Sequence, residues 1–563
     1  MSNAISDKSD NKSHKSKLLV PAISAAIVVA GGIGAYFYLK SPSGSLTPIS
    51  SAEVVPGDAL MATYVNTDAA SWSKLQQFGT KPAQDLIAKA AQDFQKGLFA
   101  DSNITYDTDI KPWIGGVMVA VLPAGNTGTT PENTPAPTQP EPNILLVVGI
   151  KDKIGALNFA NKLKEQKNSQ IQEIDYKGQK IIASKGTTQS TYATVLNNTH
   201  ILLAPEQKAV ERAIDTYKGE SSFAKKEGAS NLLTQGVDMK NTLAQIYIPD
   251  YGDTIAKLAS SNAPGGQLPP ETLKQLKQVK SMVAGVGVDE GGVRFKTIAK
   301  IDPQINQFEY QSSPGQIISQ FPIDTVALVT GQNINNSWQS FLKQSKDIAE
   351  IQQGVEQARQ TIKQFANLDL DKDIFSWMNG EFAFGAVKSN QGSLASVGMG
   401  GAILFDTSDR KTAEATFTKL DDLAKKQSLN ITKKTVGGKS VTEWEAPFQG
   451  SLLAHGWLDE DTVFIALGTP IAQTLIENKG KTLDQSESFK TITSSLQKPN
   501  SGYFYLDITN SRSLIPTLFT ANQPLPPDVD AIISSINGVG VTVNSSDKST
   551  VQMEMLLALK PSK

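Results

Sequence analysis

The 563-residue chain contains no cysteine. That absence excludes disulfides, thiolate metal sites, iron–sulfur clusters and a cysteine nucleophile. Histidine is scarce, with only three. His14 lies near the N-terminus, and His200 and His455 sit on strand-like segments in unlike contexts. Neither forms part of an H-E-x-x-H or an i, i+4 pair, so no zinc site is expected. An excess of either charge is lacking too, since 53 Lys and Arg stand against 55 Asp and Glu. The basic footprint of a nucleic-acid binder is therefore missing. No G-x-S-x-G elbow occurs, which removes the usual signature of an α/β-hydrolase nucleophile. Val436–Ser440 ends like a P-loop, but Lys433 stands where its first glycine would be. It reads as a hairpin turn, matching Lys177-Gly178. Gly285-x-Gly287 and Gly398-x-Gly400 run on into strand-like residues rather than a dinucleotide-binding helix.

What is present is a globular composition, 39% hydrophobic and 19% charged. One long apolar run stands out, the 22 uncharged residues Leu18–Leu39. As a helix it would extend about 33 Å, enough for a ~30 Å hydrocarbon core. Tyr36, Phe37 and Tyr38 close the run, and Lys8, Lys12, Lys15 and Lys17 precede it. Aromatic residues favour the headgroup zone, and basic residues favour the cytoplasmic side. The expectation is a cytoplasmic tail over 1–17, a single-pass anchor over 18–39 and a linker over 40–53, with the bulk outside the cytoplasm. A cleaved signal peptide would have a shorter apolar region and an A-x-A-like site.

The remainder contains an internal duplication. Pro56-Gly57-Asp58 is matched by Pro322-Ile323-Asp324, and Ser71-Trp72 by Ser337-Trp338, both at an offset of 266. Asp107–Ile110 with Trp113 and Gly116 is matched by Asp371–Ile374 with Trp377 and Gly380, at 264. Asp152–Leu163 pairs with Asp409–Leu420 at 257, and Gly285–Val288 with Gly538–Val541 at 253. Order is kept while the offset drifts slowly, as in two copies of one long domain rather than a solenoid. The expected repeats span 54–303 and 318–560, joined by a linker over 304–317. The first carries a Pro/Thr-rich surface loop over 123–142.

Each repeat mixes strands with amphipathic helices. Leu60–Val65, Val117–Leu122, Ile144–Ile150 and Thr242–Ile248 read as strands. Helical stripes recur at Leu86, Ile87, Ala90, Ala91, Phe94 and Leu98, and at Ile348, Ile351, Val355, Ala358, Ile362 and Phe365. Asp289–Gly292 reads as the turn of a terminal hairpin. The expected fold class is α+β: an N-terminal transmembrane helix followed by two homologous halves, each a mainly antiparallel sheet covered by helices.

One element per repeat invites a chemical reading, the Asp-x-Asp-Ile-x-x-Trp-x-x-Gly stretch. Its repeated residues are Asp109, Trp113 and Gly116, then Asp373, Trp377 and Gly380. Alternating Asp369, Asp371 and Asp373 suggest a calcium loop, but an EF-hand needs Gly at position six and Glu at twelve, where Ile374 and Gly380 stand. The expected role is structural: aspartate caps a short helical turn, and tryptophan packs beside a glycine turn.

The sequence Val55-Pro56-Gly57-Asp58-Ala59, then Ser71-Trp72, then Asp109–Gly115, after an apolar N-terminal run, resembles a family of cyanobacterial membrane-anchored proteins catalogued only as a domain of unknown function. In the second repeat Ser376 and Asn379 depart from the motif. The resemblance implies a cyanobacterial cell, with the bulk in periplasm or thylakoid lumen, and brings no catalytic residue with it.

The functional expectation is a non-catalytic, extracytoplasmic interaction or scaffold protein with a protein partner, no nucleic acid and no cofactor. A carrier of lipid, pigment or another apolar small molecule is the first alternative. A hydrolase using paired carboxylates is the second, and two close buried carboxylates in a cleft would favour it.

Overall fold

The computed structural model describes residues 46–562 except 100–103, 124–142, 165–169, 186–189, 263–267, 269, 305–309, 347, 392–393, 448–449, 479 and 517–522. No helix among the described residues is long and apolar enough to cross a membrane. The expected fold class is corrected accordingly: the architecture is a large antiparallel sheet with helices, without a transmembrane helix among the described residues. The longest described helices, Lys81–Phe99 and Ala349–Ala366, carry charged side chains along their polar faces. The anticipated tail and anchor, residues 1–39, and nearly all of the Pro/Thr-rich loop lie outside the described residues.

Contacts divide the chain into two units. The first comprises Met1–Ala69, Leu86–Gly236 and Leu243–Leu268; the second comprises Ala70–Asp85, Val237–Thr242 and Pro269–Lys563. Strands of the first are β1 Met61–Val65, β2 Ile114–Leu122, β3 Asn143–Ile150, β4 Gln170–Tyr176, β5 Gln179–Lys185, β6 Ser190–Leu196, β7 His200–Ala204 and β8 Thr242–Ile248. Antiparallel pairing orders them β8-β1-β2-β3-β7-β6-β5-β4.

The second unit opens with the hairpin β9 Val279–Asp289 and β10 Gly292–Ile301. It continues with β11 Thr325–Gln332, β12 Glu381–Lys388, β13 Met399–Asp406, β14 Asn430–Val436, β15 Lys439–Ala446, β16 Gly450–Trp457, β17 Thr462–Ala466, β18 Tyr503–Asp507, β19 Ile536–Asp547 and β20 Thr550–Leu559. Here the order is β9-β10-β20-β19-β18-β11-β12-β13-β17-β16-β15-β14. The run from β18 to β14 repeats the order from β8 to β4, ten strands further along the chain. The hairpin that closes the first repeat pairs with β20, so it is counted in the second unit.

Local sequence explains the hairpins. Lys177-Gly178 and Gly437-Gly438 both hold positive φ at both central positions, the mirror-image turn that matches the twist of paired strands. The P-loop-like run at Val436–Ser440 is thus the turn between β14 and β15.

In the second unit one sheet face carries the main core, with Leu328, Ala383, Leu404, Phe464, Tyr505 and Leu556 all nearly inaccessible. The helix Glu487–Thr493 packs there through Phe489 and Ile492, its N-terminus capped by Ser486. The opposite face is covered over β13 and β17 by the helix Arg410–Lys426. Asp409 caps it by accepting from the Thr412 N–H at 3.1 Å, and Ala413 and Phe417 turn inward. That helix stops short of covering the rest of the face.

Candidate binding face

The repeated aspartate motif forms the same structural joint twice. In the first repeat the Thr105 N–H donates to Asp109 Oδ2 at 2.7 Å, Lys162 Nζ meets Asp109 at 2.8 Å, and Trp113 Nε1 donates to the Asp109 carbonyl at 2.6 Å. In the second, the Asp369 N–H donates to Asp373 Oδ2 at 2.8 Å, Lys419 Nζ meets Asp373 at 3.0 Å, and Trp377 Nε1 donates to the Asp373 carbonyl at 3.0 Å. Each aspartate closes a single π-type turn, Tyr106–Ile110 or Leu370–Phe375, and ties it to the following helix. Trp113 and Trp377 are buried, Trp113 tilted against Phe159 and Trp377 edge-on to Phe405. Burial pushes the Asp109 and Asp373 carboxyls up, but the lysine and backbone donors outweigh it and hold both below the usual range.

The other aspartates of the second motif are engaged as well. Asp369 Oδ1 accepts from the Asp371 and Lys372 N–H groups, and Asp371 accepts from Trp338 Nε1 and Arg359 Nε. The glycines permit close approach. A Cβ at Gly116 would collide with the Tyr64 hydroxyl, and one at Gly380 would lie 2.5 Å from the Asp406 carbonyl oxygen.

The two described histidines serve different structures. His200 is buried beside Thr199 and Ser51, and desolvation lowers its pKa to about 4, so it is neutral at physiological pH. His455 Nε2 lies 2.8 Å from Asp421 Oδ1, which also accepts from Trp444 Nε1 at 2.7 Å, and its ring stacks on Phe417. This joint fastens the helix Arg410–Lys426 to β15 and β16.

Two carboxylates do come together, Glu381 and Asp406 at facing ends of β12 and β13. Glu381 is buried and accepts from the Ser313 hydroxyl and from the Gly315 and Ile317 N–H groups at 2.5 and 3.1 Å. Asp406 accepts from Thr462 Oγ1 at 2.8 Å. Desolvation, with Glu381 nearby, pushes its pKa up to about 6. With Glu381 committed to three donors from the inter-repeat segment, the pair acts as a structural clasp rather than an acid–base dyad. A hollow of about 340 Å³ between Pro322–Asp324 and Pro470–Lys481 is open and polar, with Gln473 donating to Glu477 along one wall.

The exceptional feature is the part of the second unit's sheet that the helix Arg410–Lys426 leaves open. Register partners share a face. Phe384 of β12 pairs with Val329 of β11, which pairs with Phe504 of β18. The row continues through Val541, Met555, Phe295 and Val286 on β19, β20, β10 and β9. A second row runs parallel through Ala386, Ala327, Leu506, Val539, Leu557 and Val293, and ends on β9 at Val288, which is fully buried and so closes that edge of the face. Neither row contains a polar side chain. Phe384, Val329, Phe504 and Phe295 are 39%, 42%, 40% and 38% exposed, and Met553 beside them is 43% exposed. At ~4.8 Å between strands, seven strands span roughly 29 Å. Monomeric soluble proteins rarely leave a contiguous apolar surface of this extent open. The face continues the core beneath the helix, since Phe384 contacts Phe382 and Phe405 edge-on at 5.5 and 6.1 Å.

None of the residues that carry this face belongs to the repeated motif. The available signal lay in β11 and β18, which are apolar at most positions on both faces, and in β20, whose outward positions Val551, Met553, Met555, Leu557 and Leu559 are all apolar.

The chain belongs to the family described as "Protein of unknown function (DUF3352)", whose match covers residues 22–559. No curated protein matches it. Among solved structures it is similar to crystal forms III, IV and I of TP0453, with identities of 12%, 11% and 10% and TM-scores of 0.25, 0.26 and 0.24. Those matches cover 44%, 44% and 46% of this chain and 79%, 79% and 80% of the other.

Proposed function

We propose that this is a non-catalytic binding protein, that its working surface is the open apolar face of the second unit's sheet, and that its ligand is an apolar molecule of the lipid class. The observation that carries this reading is the unbroken row Phe384–Val329–Phe504, each side chain about two-fifths exposed. The backbone groups beneath it are occupied in the ladder, so the face offers a ligand no hydrogen bonds. A partner with unsatisfied polar groups would lose free energy on it, whereas acyl chains would not. Met553 and Met555 add adaptable side chains suited to a flexible ligand. The occupied carboxylates and histidine described above support a binding role over a hydrolytic one. The motifs shared with cyanobacterial proteins support placement in periplasm or thylakoid lumen.

The test is mild-detergent purification of the full chain, followed by solvent extraction and mass spectrometry. A retained lipid or pigment that Val329→Asp and Phe504→Asp both lose, with thermal stability kept, is the expected result. A stoichiometric protein on the same face would replace the lipid reading with the scaffold reading.

A further inference from the structure

The two repeats close on the same latch. In the first, Pro56 bridges Ser222, the Gly57 N–H donates to the Ser221 carbonyl at 2.9 Å, and the Phe223 N–H donates to the Val55 carbonyl at 2.8 Å. In the second, Pro322 bridges Thr482, the Ile323 N–H donates to the Lys481 carbonyl at 3.1 Å, and the Leu483 N–H donates to the Phe321 carbonyl at 2.9 Å. The helices beside the latches also correspond. Gln207–Tyr217 follows β7 and Thr469–Ile476 follows β17, and those strands start at the matching register pairs Gly149–His200 and Asp406–Thr462. One helix buries Ala209, Val210 and Ala213, and the other buries Ile471, Ala472 and Leu475 at the same places. Arg212 and Thr474 are therefore counterparts, and so are Asp215 and Glu477.

The second repeat keeps the carboxylates of this region and drops their cations. In the first repeat Arg212 Nη2 donates to Asp58 Oδ1 across the latch, and Lys177 Nζ lies 2.6 Å from Asp215 Oδ1. In the second, Asp324 stands for Asp58 and Glu477 for Asp215, but Thr474 replaces Arg212 and Gly437 replaces Lys177 in the hairpin turn. The Asp324 carboxylate has no partner among the described residues, and Glu477 has only the neutral Gln473 as donor, at 3.1 Å. The hollow of about 340 Å³ lies where the longer side chain is missing, lined by Asp324, Thr474 and Glu477. Its volume falls within the ~300–1,000 Å³ of small-molecule sites. Lys481 also lines it, so two carboxylates face one ammonium, and that ammonium pairs with neither.

The first repeat shows which group this arrangement accepts. A planar guanidinium offers a carboxylate a fixed fork of donors. We propose that the second repeat's hollow binds an alkylguanidinium supplied from outside the chain, seated on Asp324 as Arg212 is seated on Asp58. Glu477 receives a second cationic or donor group of the same ligand. The site stands apart from the apolar sheet face and does not depend on it.

The test titrates two probes into the full chain by calorimetry at low salt, where exposed charges are least screened. Agmatine carries a guanidinium and an ammonium, and the blocked tripeptide acetyl-Gly-Arg-Gly-amide carries a protein-like arginine. Binding at one site per chain is expected, whereas N-butylurea, an uncharged analogue of the fork, should not bind. Agmatine alone identifies a free small cation as the ligand, and binding of the peptide identifies an arginine side chain of another protein. Asp324→Asn should weaken binding roughly fivefold or more. Thr474→Arg, which restores the ion pair of the first repeat, should abolish it, and thermal unfolding checks that both variants are folded. No binding of either probe, equal binding of N-butylurea, or unchanged binding in Asp324→Asn or Thr474→Arg would each overturn the proposal. None of these results bears on a lipid lost through Val329→Asp and Phe504→Asp, so the two readings fail separately.

Discussion

Lys296 of β10 stands directly opposite Glu554 of β20. Gly292 and Thr550 close their hairpins against Asp289 and Asp547, and Lys296 and Glu554 each lie four residues beyond that closure. The two residues are therefore counterparts in their hairpins, and the β10–β20 seam reads the same from either end: Gly292 faces Ala558 and Lys300 faces Thr550. Lys296→Glu would put two carboxylates face to face at the centre of this seam. A loss of about 0.5–1 kcal/mol is expected, seen as a lower Tm, with a smaller loss for Lys296→Gln.

The aspartate joints predict matched effects in the two repeats. Asp109→Ala and Asp373→Ala remove the acceptor of the turn N–H and the lysine partner, and each should cost about 1–2 kcal/mol in denaturant unfolding. Because both carboxyls titrate below their ordinary values, their stabilising contribution is present above about pH 4 and lost as pH falls below it. The alanine variants should therefore differ from wild type most at neutral pH and least near pH 2.

Asp406 predicts the opposite sign. Its folded-state pKa, raised to about 6, favours the neutral acid, so its contribution is present at pH 4 and lost as pH rises through 6. Asp406→Asn keeps an acceptor for Thr462 and removes the buried charge. It should stabilise the protein at pH 7.5 by about 1–2 kcal/mol, after allowing for the carboxyl's partial access to water, and change little at pH 4. A series of Tm values across pH 4–8 checks this.

Gly116→Ala should be among the most damaging single substitutions in the first unit, because its Cβ would meet the Tyr64 ring as well as the hydroxyl. Tyr64 is itself buried and cannot withdraw freely. A loss of about 1–3 kcal/mol is expected. Gly354→Ala, on the helix Ala349–Ala366 with nothing near its Cβ, should instead raise stability by roughly 0.5–1 kcal/mol. Paired denaturation curves distinguish the two.

Much of the architecture was legible in the linear pattern. Thr242–Ile248 reads as a strand and forms one, Asp289–Gly292 turns a hairpin, and the strand order β8-β1 recurs as β18-β11. Asp109, Trp113, Asp373 and Trp377 were visible as a repeated motif because their spacing is local, whereas the lysines that meet the two aspartates, Lys162 and Lys419, come from a helix more than 45 residues further on. The open face was not legible. Phe384, Val329, Phe504, Met555 and Phe295 are separated by up to 260 residues in the chain, and only strand pairing lines them up.

The sequence by itself determined the chemistry this protein lacks. No cysteine, few histidines and balanced charge restrict the reactions and partners available, whatever the fold. It also determined strands, turns and helical stripes, because backbone geometry converts residue order into period two or 3.6. Only the tertiary structure decided which apolar residues became core and which became surface. Leu328 and Val329 are neighbours of similar character, yet Leu328 is 1% exposed and Val329 42%. The pleat sends them to opposite faces, and the helix Arg410–Lys426 ends its coverage before reaching β11.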